Sequence, residues 1–339
     1  MNKKIVFTGA AGFIGSHMIE HFLKETDWDI IVLDKLTYAS MGFDRLKDIE
    51  CFDEKRVKVF TTDLNEPISV GVAKEIGEVD YIVNLASESH VDNSITDPVN
   101  FVQNNVNLVL NMLEWAREMK GLKKFLQFST DEVYGTAPEG VDYKEGDRFN
   151  PGNPYSASKA AQECIATSYR NTYGIPIVIT NTMNVIGERQ HPEKYVPLCI
   201  RKILNGETIT IHANKDKTKA GTRFYIHARN VAKAVHFILT ETDELLDNID
   251  ATKGKFNIVG EKELDNLELA QMIAKILGKE LKYEMVDFHS SRKGHDLRYG
   301  LSGEKLYNLG FRFPKKLEES LNKTIQWYLD DKNKHWLEI

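Results

Sequence analysis

The 339-residue chain is short of cysteine, of net positive charge and of long apolar runs, and each shortage removes a class of function. Only three cysteines occur, Cys51, Cys164 and Cys199, far apart, with no CxxC pair and no histidine cluster at metal-ligand spacing. A disulfide scaffold and a bound metal are excluded, and the three are expected to be reduced, buried thiols. Lysine and arginine number 44 against 50 acidic residues, a formal charge of −6. That balance is wrong for coating nucleic acid, and an anionic ligand needs a local basic pocket. No stretch approaches the ~18 consecutive apolar residues of a membrane span, and the N-terminus runs straight into a short strand. The expectation is a soluble cytoplasmic protein with no membrane partner. Gly/Ser-rich linkers, low-complexity tracts and repeats are also missing. At about 100–200 residues per domain, the length then implies one large α/β domain and a smaller attached lobe.

What is present is arranged around Phe125-Leu-Gln-Phe-Ser-Thr-Asp-Glu-Val-Tyr-Gly135. Phe125 to Phe128 reads as a buried strand that delivers Ser129, Thr130, Asp131 and Glu132 at its C-terminal end, where open α/β sheets bind ligands. In extended backbone, Asp131 and Glu132 point to opposite sides, which suits one acid and one base. Near the N-terminus, strand Ile5–Phe7 leads into Gly9-Ala-Ala-Gly12-Phe-Ile-Gly15 and then a helix from Ser16 to Lys24. A glycine turn between strand and helix lets backbone approach a pyrophosphate at the positive helix end. A second strand, Ile30–Leu33, ends at Asp34. An acidic residue about twenty positions past the glycines accepts from ribose hydroxyls and repels a 2′-phosphate, so NAD is favoured over NADP.

Further strands are read at Val57–Thr61 and Tyr81–Leu85, with Asp63 and Ala86-Ser-Glu-Ser-His90 at or beyond their ends. Helical spacing marks Pro98–Lys120 and Pro154–Tyr173, and Ile177–Thr180 completes a Rossmann-type doubly wound parallel sheet over residues 1–180. Residues 181–339 read mainly as a smaller mixed α/β, substrate-binding lobe, with some segments returning to the first domain. Its strands are placed at Ile209–Ile211, Phe224–Ile226 and Phe256–Val259, and its helices at Asn230–Thr240 and Asn266–Leu277. Lys315–Lys334 reads as a solvated helix capping the lobe. On the helix at 154–173, Tyr155 and Lys159 lie four apart and share a face. A tyrosine base needs roughly 4 kcal/mol of preferential anion stabilisation to bring its pKa of about 10 near neutrality, and a nearby cation supplies that kind of field.

Gly9-x-x-Gly12-x-x-Gly15, Tyr155-x-x-x-Lys159 and Ser129 to Gly135 together resemble an extended short-chain dehydrogenase/reductase, and within it the nucleotide-diphosphate-glucose 4,6-dehydratases. Leu33 to Ala39, Ala86 to Asp92, Pro192 to Pro197 and Arg292 to Asp296 are similar to the dTDP-glucose enzymes. The resemblance implies NAD held by Gly9, Gly12, Phe13, Ile14, Gly15, Asp34, Lys35, Thr37, Asp63, Leu64, Leu85, Ala86, Ser87, Asn105, Tyr155 and Lys159. It implies a nucleotide-sugar substrate held by Ser89, His90, Asn184, Lys194, Arg223, Arg292 and His295, and a homodimer formed through paired helices at 98–120 and 154–173. It further implies a hydro-lyase in which Tyr155, helped by Thr130 and Lys159, takes the C4 hydroxyl proton. Glu132 removes the C5 proton, and Asp131 protonates the departing C6 hydroxyl. Related 4-epimerases lack this acid–base pair, and UDP-glucuronate decarboxylases generally carry serine where Asp131 stands, so Asp131 discriminates between them. A non-catalytic NAD-binding module would need the glycines but not the acid–base set. Three places depart from the dTDP-glucose pattern: Ala213–Gly221 is longer and more basic, Val185-Ile186 follows Asn184, and Arg229-Asn230 stands where acidic residues are usual. They lie on the nucleotide side, so base and sugar substituents stay open.

Overall fold

The computed structural model describes residues 2–242, 252–288 and 297–338. Its strands are β1 (Lys4–Thr8), β2 (Asp29–Asp34), β3 (Val57–Thr61), β4 (Tyr81–Asn84), β5 (Lys124–Thr130), β6 (Ile177–Thr182), β7 (Val185–Ile186), β8 (Thr208–Ala213), β9 (Thr222–Phe224), β10 (Ile226–His227), β11 (Lys255–Ile258), β12 (Glu263–Asp265) and β13 (Lys282–Asp287). The helices are α1 (Phe13–Glu25), α2 (Asp44–Asp48), α3 (Val70–Ile76), α4 (Val91–Thr96), α5 (Pro98–Arg117), α6 (Pro154–Tyr173), α7 (Tyr195–Leu204), α8 (Ala228–Glu241), α9 (Asn266–Leu277), α10 (Glu304–Asn308) and α11 (Leu317–Leu329).

Period-two alternation along buried strands sorts side chains to the two faces of a sheet that must be covered on both. Along β1, Ile5 and Phe7 face one core with Met18, Ile19 and Phe22 of α1 and Val231, Val235 and Ile238 of α8. Val6 faces the other, with Leu108, Val109, Met112 and Leu113 of α5 and Ala166 of α6. The long helices start where short-range chemistry says they should: Asp97 and Asn153 cap α5 and α6 ahead of Pro98 and Pro154, and Gly174 ends α6 in left-handed backbone. All seven sheet strands run parallel in the order β11-β6-β5-β4-β1-β2-β3. The direction of winding reverses between β1 and β4, and a cleft opens at their C-terminal ends.

Two segments expected in the smaller lobe belong to this sheet and its layers. β11 extends the sheet beyond β6, and α8 packs on α1. All four residues of β11 are buried, but so short a run containing Asn257 carries little signal of a central strand. The lobe proper is a separate core of α7, α9 and α11 around Ile200, Ile211, Leu269 and Leu321. α11 also departs from expectation: its charges face outward, while Leu321, Ile325 and Tyr328 are fully buried near Trp336. Cys51 and Cys199 are buried free thiols, but Cys164 sits on the outer face of α6 and is exposed. No described helix is long and apolar enough to cross a membrane. Among the described residues, no His/Cys/Asp/Glu group could hold a metal.

A buried polar hub joins the lobe to the sheet. Arg189, in left-handed backbone at φ 62°, donates to Asp48 of α2 at 2.9 Å and Glu20 of α1 at 2.7 Å. Arg45 donates to the Arg189 carbonyl at 2.8 Å, and the Gln190 N–H donates to the Tyr328 hydroxyl at 3.0 Å. His17 Nε2 donates to the Glu188 carbonyl at 3.0 Å while its Nδ1 accepts from Arg189, which requires a neutral ring. Burial, then the Arg189 charge, holds the His17 pKa well below its usual value, and burial also lowers that of His227, against the pull of Glu188. Burial is the largest influence on Glu20 and opposes its ionisation, but Arg189, Lys24 and His17 together outweigh it and bring the carboxyl down to about 2. The sign follows from linkage. The unfolded chain protonates its histidines near pH ~6.5 while the folded rings stay neutral, so stability falls as pH drops through that value. Below pH ~4.5 the Glu20 contribution is lost as well. Thermal melting should therefore move steadily lower from pH 7 to pH 4, and His17→Gln should flatten the first part of that slope.

Candidate active site

The turn after β1 packs too tightly for side chains. A Cβ on Gly9, whose φ is 65°, would stand 2.8 Å from the Ala86 Cα, and one on Gly15 would stand 2.3 Å from the Ala10 Cα. α1 begins at Gly12 with no side-chain cap and no acidic residue in its first turn, so its positive end faces the cleft uncompensated. Asp34, at the end of β2, is buried with one oxygen accepting from the Ala11 N–H at 2.9 Å and the other from the Leu36 N–H at 2.8 Å. Burial raises its pKa, and those two donors pull it back. A glycine cradle, an open helix start and a fixed carboxylate fit the pyrophosphate and ribose of a dinucleotide.

The cleft wall contains Gly9, Gly12, Phe13, Ile14, Gly15, Asp34, Lys35, Thr37, Asp63, Leu64, Leu85, Ala86, Ser87, Ser89, His90, Asn184 and Lys194. Thr130, Asp131, Glu132, Tyr155 and Lys159 line the same cleft. Asn105 does not. Fully buried behind the wall, it accepts from the Glu88 N–H and donates to the Glu88 carbonyl and the Ser158 hydroxyl, while its neighbour Asn104 lines the cleft. Arg223 also stands outside the lining, its guanidinium 4.4 Å from the centre of the Tyr299 ring. Arg292 and His295 lie outside the described residues.

β5 runs on through Ser129 and Thr130, so Ser129 is buried in the strand, donating to Glu163 at 2.5 Å. Asp131 and Glu132 are not extended as expected but open a 3-10 turn over Asp131–Tyr134. The cause is Thr130, which caps the turn by accepting from the Glu132 N–H at 3.4 Å, as hydroxyl residues do at helix starts. The two carboxyls are thus distinguished by surroundings rather than by strand alternation. Asp131 is buried; one oxygen accepts from the Thr130 hydroxyl at 2.9 Å, and the other has no partner among the described residues. Burial pushes its pKa up to about 6, against the Thr130 hydroxyl and the Arg223 charge. Burial, then the Glu132 charge, pushes the Tyr155 phenol above its ordinary value, with the Thr130 hydroxyl pulling the other way. Lys159 donates to the Phe128 carbonyl at 2.6 Å and to Gln162 at 2.7 Å, and burial brings its pKa down to about 7.

Gln162 escaped sequence reading. It closes a buried chain in which Thr8 donates to Asn84 at 2.6 Å, Asn84 to Gln127 at 2.8 Å and Gln127 to Gln162 at 3.1 Å, crossing β1, β4 and β5 beneath the cleft. Its place three residues past Lys159, on the same helical face, was the available signal. Asn153 and Tyr299, both hydrogen-bonded to Glu132, were missed as well.

Sheet order, glycine cradle and Asp34 define a Rossmann-type dinucleotide-binding protein. Residues 5–258 match the NAD dependent epimerase/dehydratase family, and the chain belongs to that family. A probable dTDP-glucose 4,6-dehydratase of Sinorhizobium fredii is 33% identical over 342 residues, spanning 97% of this chain and 93% of its own. The crystal structure of a dTDP-glucose 4,6-dehydratase from Streptomyces venezuelae, with NAD and dTDP bound, matches with a TM-score of 0.83 at 33% identity and covers 99% of both chains. The Thermus thermophilus UDP-glucose 4-epimerase in complex with NAD also matches with a TM-score of 0.83, at 28% identity over 97% of this chain and 99% of its own. Fold alone therefore does not separate dehydratase from epimerase.

Proposed function

We propose that the protein is an NAD-dependent hydro-lyase that converts a nucleotide-diphosphate hexose of the dTDP- or UDP-glucose type into its 4-keto-6-deoxy form. The observation that carries this reading over the epimerase is Asp131: a buried carboxyl in the cleft wall, raised to about 6, with one oxygen that has no partner among the described residues. A carboxyl so placed can donate a proton to a leaving hydroxyl, a group that an epimerase has no use for. NAD, held by the glycine turn, Asp34, Tyr155 and Lys159, supplies a hydride acceptor for sugar C4, a hydride donor for C6, and a cationic ring that offsets the raised Tyr155 pKa. Tyr155, sharing a hydrogen bond with Thr130, removes the C4 hydroxyl proton. Lys159, fixed by Phe128 and Gln162, presents its amine beside the phenol and ribose, and its protonated form supplies the cation. The C4 ketone acidifies C5, where Glu132 takes the proton; Asp131 gives its proton to the C6 hydroxyl, which leaves as water, and Glu132 returns a proton to C5 as C6 is reduced.

Asn184, Lys194, Ser89 and His90 supply donors for the nucleotide sugar, with Arg223 acting from the rim on the diphosphate. The outer faces of α5 and α6, where Val99 is 63% and Tyr173 49% exposed, are the surface for a homodimer. Three free cysteines suit a reducing cytoplasm. The function is tested by incubating the protein with a panel of nucleotide hexoses and following loss of water by mass. The cofactor assignment carries its own test. Asp34→Ala should weaken NAD by about tenfold or more, the scale of a hydrogen bond to a charged group, and leave NADP binding nearly unchanged. Equal affinity of the unmutated protein for both cofactors would remove Asp34 from that role.

A further inference from the structure

Asn153 sits where two parts of the site meet. Its side-chain oxygen accepts from the Ser156 N–H at 2.8 Å and so caps α6, the helix of Tyr155 and Lys159. Its side-chain nitrogen donates to Glu132 Oε2 at 3.3 Å. The amide orientation is fixed by both contacts, since the reverse would set oxygen against carboxylate and NH2 against N–H. Serine or aspartate would cap the helix as well, so the cap alone does not call for an amide. The same Glu132 oxygen accepts from the Tyr299 hydroxyl at 3.4 Å. Asn153 is 7% and Tyr299 3% exposed, so water competes little for either bond.

We infer that Asn153 is a positioning residue for Glu132: its amide nitrogen holds the carboxylate in line for the C5 proton while its amide oxygen starts the helix that carries Tyr155 and Lys159. This rests on the dehydratase reading of the same site. A base must be within hydrogen-bond reach of the proton it takes, and a carboxylate free to rotate spends less of its time there. Oxidation at C4 uses Tyr155 and Lys159 and does not depend on the nitrogen.

Asn153→Ser separates the two jobs, because serine keeps the cap and is too short to reach Glu132. Its melting temperature should stay near that of the unmutated protein, and KM should be unchanged. Water loss should slow about tenfold or more, the scale of a hydrogen bond to a charged group. The reduced cofactor should build up during turnover, and substrate deuterated at C5 should show a larger isotope effect on kcat as that proton transfer becomes slower. Unchanged turnover with an unchanged isotope effect overturns the inference. So does a loss of rate with no reduced cofactor, which would place the defect at Tyr155 and make Asn153 a cap only. Should Asn153→Ser melt early, Asn153→Asp keeps the cap and puts an acceptor where the donating nitrogen was; the same isotope effect is expected, and its absence overturns the inference. If the unmutated protein takes water from no nucleotide hexose, the failure belongs to the dehydratase reading instead.

Discussion

Asp131→Asn should oxidise its sugar nucleotide and then stop. Asparagine keeps the shape of the side chain and its bond to Thr130, but has no acid proton to give to the C6 hydroxyl. General acid catalysis contributes about 10²–10⁴-fold, so water loss should fall by that order. Tyr155 and Lys159 are untouched, so the reduced cofactor and a 4-keto hexose should accumulate together. Glu132→Gln should look the same by absorbance and should also stop exchange of the C5 hydrogen with deuterated solvent. Tyr155→Phe should block earlier, with no reduced cofactor formed. The pH profile follows from the same group: the acid form of Asp131 is the active one, so kcat for water loss should decline as pH rises above about 6, and Asp131→Asn should lack that limb. An Asp131→Asn enzyme with normal turnover would leave the epimerase reading ahead.

The second large effect comes from a single methyl group. Gly15→Ala puts a Cβ 2.3 Å from the Ala10 Cα, inside the backbone of the cofactor turn, and no side-chain rotation relieves it. α1 must move away from the turn, at a cost of about 1–3 kcal/mol by analogy with overpacked cores. The positive helix end moves with it, so NAD affinity should fall far more than stability does. Gly71→Ala is the matched control: it too lies in a helix, but its added methyl meets nothing within 4 Å. That variant should be as stable as the parent or slightly more so, since alanine is the better helix former. Calorimetric titration with NAD, together with melting curves for both variants, checks the pair. Equal NAD affinity in Gly15→Ala and the parent would mean that the turn does not hold the pyrophosphate.

Much of this was legible in the chain because the signals are local. Strand, glycines, helix and Asp34 follow one another within thirty-odd residues, and Pro154 after Asn153 announces the helix of Tyr155 and Lys159. What was not legible depends on distance or on competition between neighbours. Thr130 reads as a polar residue delivered at the strand's end to assist Tyr155; only when its hydroxyl is seen capping the turn does the pairing of Asp131 with Glu132 change from alternation to contrast in burial. Asn105 reads as a polar residue facing a ligand, yet its partners are Glu88 and Ser158, seventeen and fifty-three positions away. β11 reads as a minor strand because nothing near it in sequence says which sheet it will join.

β11 also bears on how the protein is made. Lys255 to Ile258 pair with β6, and the buried Lys255 ammonium meets Glu163 of α6 at 2.9 Å. Glu163 in turn holds Ser129 of β5 and Asn181 of β6 at 2.5 and 2.6 Å. During synthesis, residues 4–182 can emerge and form six strands, but the outer edge of β6 stays open until some seventy more residues have followed. Over that interval a carboxylate destined for burial lacks its counter-charge, and a sheet edge is available to the wrong strand. Parallel pairings over such sequence separations form slowly. A nascent chain stalled before residue 255 should therefore be protease-sensitive around β5 and β6, and should gain protection in one step once β11 has cleared the ribosome.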